Sequence, residues 1–90
     1  MFVQVAHDVI DRNGWKKLSS EWQGPPPGFK LHTSVTTRDQ SKVFCLWEGE
    51  SVDELSQMLD AQTKGILKNT YYAIDEKAPL TKLPHEAVAL

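Results

Sequence analysis

The chain has 90 residues, 40% of them apolar and 24% charged, with a formal net charge of −2 and a pI near 5.8. That length fits one domain, and that balance is the composition of a folded chain rather than a disordered one. It excludes an electrostatic nucleic-acid binder, which needs a basic face to neutralise phosphates; Lys16, Lys17 and Lys30 are scattered, and no basic run exists.

The one cysteine, Cys45, has no intrachain partner for a disulfide. Met1 is followed at once by a strand-like run, without a basic segment or a long apolar stretch. The expectation is a cytoplasmic protein with a reduced thiol and no membrane segment.

Phe2 to Ile10 is rich in β-branched residues and reads as a strand. Val3, Val5, His7 and Val9 share one face, with Phe2, Gln4, Ala6 and Asp8 on the other. Asp11 to Trp22 reads as a helix whose stripe is Trp15, Leu18 and Trp22, with Asp11 or Asn13 as the cap. Gln23-Gly-Pro-Pro-Pro-Gly28 ends it as a stiff connector. Phe29 to Thr37 alternates as a half-exposed strand, with Phe29, Leu31, Thr33 and Val35 on one face.

After the turn Arg38-Asp-Gln-Ser41, Lys42 to Glu48 is apolar on both faces and reads as a central strand. Ser51 and Glu54 form a capping-box pattern at the head of a helix carrying Val52, Leu55, Met58, Leu59 and Gln62 on one stripe. Lys64 in its last turn and Gly65 as a left-handed cap are expected to close it. Leu67 to Ile74 is the last strand, with Tyr71 and Tyr72 on opposite faces. The domain is expected over 1–76, with a tail over 77–90 that lies on a partner subunit or is disordered.

Strand, helix, strand, strand, helix, strand is the order of the ferredoxin-like α+β sandwich, a four-stranded antiparallel sheet with both helices on one face. In that pattern the strands of His7 and Cys45 are expected to lie side by side and parallel. The second sheet face stays uncovered and partly apolar, and a homodimer pairing two sheets into a barrel would cover it.

The element order resembles the dimeric α/β-barrel superfamily, which includes antibiotic-biosynthesis-type monooxygenases. Lys42-Val-Phe-Cys-Leu-Trp-Glu48, followed by a helix ending near Gly65, is similar to a family of small bacterial proteins with a Lys-x-Phe-Cys-Leu-x-Glu strand, one of which binds nickel. The resemblance implies a histidine near the end of the first strand, and His7 stands there. It also implies a histidine before the closing glycine, whereas this chain has Asp60-Ala-Gln-Thr-Lys-Gly65.

His7, His32, Cys45 and Glu48 are the side chains able to build a metal site in the sheet, with His7, Cys45 and Glu48 as its candidate ligands. Imidazole and thiolate suit zinc, nickel or copper, though no pair shows a ligand spacing. A lone buried histidine or cysteine is more often part of a core. Cys45 as a nucleophile would need His7 on its own face as a base. A small-molecule pocket would take walls from Trp15, Trp22, Trp47, Tyr71 and Tyr72, and polar handles from His7, Gln4, Asp8 and Asn69. The ligand-binding candidates are therefore His7, His32, Cys45, Trp47 and Tyr71. The functional expectation is a protein that binds a small molecule or metal ion in or beside a dimeric barrel. The alternatives are a cofactor-independent monooxygenase-like or isomerase-like enzyme, and a dimer with no ligand.

Overall fold

Two antiparallel hairpin-like pairings around a central strand pair organise the molecule in a computed structural model that describes residues 1–78 and 81–84. The elements are β1 (Phe2–Val9), α1 (Arg12–Glu21), β2 (Lys30–Thr36), β3 (Lys42–Glu48), α2 (Val52–Gln62) and β4 (Leu67–Ala73). The strands form one sheet in the order β2-β3-β1-β4, antiparallel throughout, which is the ferredoxin-like α+β arrangement. Residues 79–80 and 85–90, including His85 and most of the tail considered above, lie outside the described residues. Among the described residues no helix is long and apolar enough to cross a membrane.

β1 and β3 are neighbours, but they run antiparallel rather than parallel. Each is antiparallel to its partners, so β1 and β2 point the same way and β3 is inserted between them in reverse. The register places Val5 opposite Cys45 and His7 opposite Val43. Directly opposed residues share a face, so His7 and Cys45 face the same side, diagonally displaced. That side carries the core: Val3, Val5, Leu31, Val43, Cys45 and Trp47 meet Leu55 and Leu59 of α2.

β2 departs from simple alternation. A register shift between Leu31 and Thr33 leaves His32 as an extra, bulged residue. Leu31 still pairs with Trp47 on the core side, but beyond the bulge it is Ser34 and Thr36 that face Cys45 and Val43. Thr33 and Val35, expected on the same side as Leu31, are turned to the other face, and Val35 is 59% exposed there.

The helices differ in how they hold the sheet. Ser51 caps α2, its hydroxyl accepting from the Glu54 N–H at 3.1 Å, and Leu55 and Leu59 are buried. The helix ends at Gln62, earlier than Lys64 and Gly65. The Thr63 N–H and hydroxyl both bond back to the Leu59 carbonyl, and Gly65 (φ +77°) then turns the chain into β4. Asp11 caps α1 by accepting from the Gly14 N–H at 3.0 Å. Gly14 is needed there, because a Cβ would sit 2.7 Å from the Asp11 carboxylate. No residue of α1 is buried; its stripe, Trp15, Leu18 and Trp22, is half-buried above a gap.

Candidate functional site

The gap beneath α1 is a cavity of about 310 Å³, at the lower end of the range for small-molecule pockets. Its apolar walls are Trp15, Leu18 and Trp22 above, Leu31 and Trp47 below, and Leu59 and Leu67 at the back. Trp22 and Trp47 meet edge to face, ring centres 6.3 Å apart. The bulge contributes Ser34 and Thr36. With Ser19 and Gln62 these are the exposed lining residues, so the mouth opens along the β2 edge. Among the described residues no Lys, Arg, Asp or Glu lines it.

Four buried side chains with polar groups, His7, Cys45, Trp47 and Thr63, line the floor or wall of this cavity. His7, 4% exposed, is fixed from β4 and α2. The Asn69 amide nitrogen donates to Asp60 Oδ1 at 3.0 Å and to Thr63 Oγ1 at 2.9 Å. A carboxylate accepts only, so this fixes the amide and turns Asn69 Oδ1 toward His7 Nδ1, 2.5 Å away. Nδ1 therefore carries the proton and donates, and Nε2 keeps its lone pair. Nε2 makes no hydrogen bond among the described residues. Burial lowers the His7 pKa, with the Asn69 bond opposing it, so the ring is neutral.

Cys45 donates its thiol to Ser34 Oγ at 3.4 Å. Burial pushes the thiol pKa up; Ser34 and Trp47 act in the opposite direction without offsetting it. A protonated thiol that donates to a hydroxyl, with no base against it, is not an activated nucleophile. Trp47, 3% exposed, buries its indole N–H without an acceptor in good hydrogen-bond geometry among the described residues. The acceptor beside it is the Cys45 sulfur, whose pKa it acts to lower and which accepts only weakly, so an oxygen on a bound group would make a stronger partner.

The remaining candidates lie elsewhere. Glu48 is three residues from Cys45 and so points to the opposite sheet face. There His32 Nε2 and Glu48 Oε1 pair at 2.9 Å, and the His32 ring packs on Phe2 with centres 5.1 Å apart. The His32 bond is the main reason the Glu48 carboxyl is lowered. His7, Cys45 and Glu48 thus do not converge, and no three His, Cys, Asp or Glu among the described residues are grouped to hold a metal ion. Tyr71 faces the helices but does not line the cavity; its hydroxyl donates to Asp60 Oδ1 at 2.6 Å, and burial with that bond raises its pKa. Gln4 and Asp8 lie on the open face, where Asp8 pairs with Lys42. Tyr72 is also there, 54% exposed.

The residues that sequence reasoning missed are Asp60 and Thr63, which orient Asn69, and Ser34, which holds Cys45. Asp60 and Thr63 sit where a helix end is expected, and nothing in their spacing marks them as partners of β4. Comparison with protein-family models, curated proteins and solved structures finds no match to this chain.

Proposed function

We propose that the protein binds a small, neutral, largely apolar organic molecule between α1 and the sheet. The observation that carries this reading is the cavity walled by Trp15, Trp22 and Trp47, with no charged side chain among the described residues that line it. Apolar walls of this extent offer a ring-sized ligand dispersion contacts and remove its surface from water. The binding place is beside the sheet within one chain rather than inside a barrel between two. Titration with naphthalene, followed by tryptophan fluorescence, is expected to give saturable binding of one molecule per chain. Leu59→Trp, which fills the cavity, should remove it; binding that survives the filling places the ligand elsewhere.

A second reading makes the same site catalytic, as a cofactor-independent monooxygenase-like or isomerase-like enzyme. What favours it is the neutral His7, whose Nε2 lone pair is available as a base. His7→Ala would then abolish turnover of a bound ligand while leaving binding measurable, and unchanged turnover rejects it. We further propose a cytoplasmic homodimer joined through the open sheet face. Val35 and Tyr72 are exposed there beside half-buried Phe44 and Leu46.

A further inference from the structure

We infer that His7 sets the specificity of the cavity: Nε2 accepts a hydrogen bond from a hydroxyl or N–H on a neutral ring-sized ligand. The protein would therefore prefer phenol- or enol-type rings to plain hydrocarbons and to acid anions. This deepens the proposed small-molecule binding and rests on it.

The polarity of the imidazole is imposed from outside the cavity. The Asp60 carboxylate accepts from the Asn69 amide nitrogen, the Asn69 carbonyl accepts from His7 Nδ1, and Nε2 is left as the acceptor. Thr63 holds the same amide nitrogen while spending its own proton on the Leu59 carbonyl at 2.7 Å. Reversing the histidine would set two acceptors, Asn69 Oδ1 and Nδ1, against each other. His7 is thus a one-way acceptor, held by Asn69 and Asp60 from outside the cavity and by Thr63 in its wall. Asn69, Asp60 and Thr63 are positioning residues.

The rest of the lining defines what the ligand can be. With no cationic side chain among the described residues of the wall, a carboxylate or phosphate would lose its hydration unpaired and would meet the Nε2 lone pair. With no anionic one, an ammonium group fares no better. A neutral donor satisfies Nε2. The Trp47 indole N–H, buried with only the weakly accepting Cys45 sulfur beside it, offers the complementary bond to an oxygen on the same ligand. The tryptophans supply flat surfaces for a ring. The pairing of one fixed acceptor with one fixed donor in an apolar box discriminates by leaving its own polar groups unpaired when the wrong ligand enters.

The test compares naphthol, methoxynaphthalene, naphthalene and naphthoate on the folded 90-residue chain at neutral pH, by calorimetry or tryptophan quenching. Naphthol should bind roughly tenfold tighter than naphthalene and than methoxynaphthalene, the loss of one buried hydrogen bond. Naphthoate should bind most weakly of the four. His7→Phe should erase the naphthol advantage and leave naphthalene affinity within about twofold, as expected when only the acceptor is removed. Methoxynaphthalene keeps the oxygen and lacks the donor, so the wild-type comparison decides the matter even if His7→Phe does not fold. If naphthol and methoxynaphthalene bind equally, the cavity reading stands and the role of His7 is overturned. If none of the four binds, the binding reading itself fails, and this inference with it.

Discussion

His7 Nδ1 and Asn69 Oδ1 lie 2.5 Å apart, bridging adjacent strands and tying the floor of the cavity to the end of α2. Asn69 also satisfies Asp60 and Thr63, so one amide serves three partners. Asn69→Leu is expected to destabilise the fold by about 2 kcal/mol, because it strands the buried His7 N–H. Urea unfolding measures this. A change within a few tenths of a kcal/mol would mean that the network is not formed in solution.

The neutral His7 has a pH signature. Its folded pKa lies below the ordinary value of 6.5, so below that pH the unfolded chain binds a proton that the folded chain refuses. The stability it contributes is complete above 6.5 and declines as pH falls from 6.5 toward the depressed folded value. Unfolding free energies measured across this window should fall more steeply for the wild type than for His7→Leu. Parallel curves would show that His7 titrates normally in the fold.

Cys45 is 5% exposed and its thiol is raised above the ordinary 9.0. Alkylation by iodoacetamide at neutral pH should be at least about a hundredfold slower in the folded than in the urea-unfolded chain, since reaction then requires opening. Comparable rates would expose the thiol as accessible and activated.

Because α1 buries no residue, its amides should exchange hydrogen faster than those of β1 and β3, the strands that carry Val3, Val5 and Val43. A bound naphthol should slow exchange in α1 selectively. Equal protection of α1 and the central strands without ligand would show that the helix is held by more than half-buried contacts.

The open sheet face makes its own prediction. Val35→Lys with Tyr72→Lys places two charges where the proposed dimer pairs its sheets, and should yield a folded monomer by sedimentation. A wild-type chain that sediments as a monomer at high concentration removes the dimer proposal.

Most of the architecture was legible because it is local. The Ser51 cap, the Trp15, Leu18 and Trp22 stripe and the two-faced β3 are written within a few residues of themselves. Which way β3 runs was misread because direction depends on the whole path of the chain. The site was half legible. His7, Cys45 and Trp47 stand out by residue type, and all three line the cavity. Glu48 and His32 do not, because two-residue alternation from Trp47 and Leu31 puts both on the other face of the sheet. The orienting groups were invisible, since Asp60 and Asn69 meet only after α2 folds back on β4.

The bulge at His32 makes the rim of the cavity a matter of backbone phase. It inverts the phase of everything after it in β2, sending Ser34 and Thr36 inward and Val35 outward. Deleting His32 would remove the bulge and leave Ser34 paired with Cys45 and Thr36 with Val43, so the rim would keep its side chains. A strand that kept His32 but ran straight through it would instead turn Thr33 and Val35 inward, so the backbone kink at one residue, not side-chain identity alone, sets the chemistry of the rim.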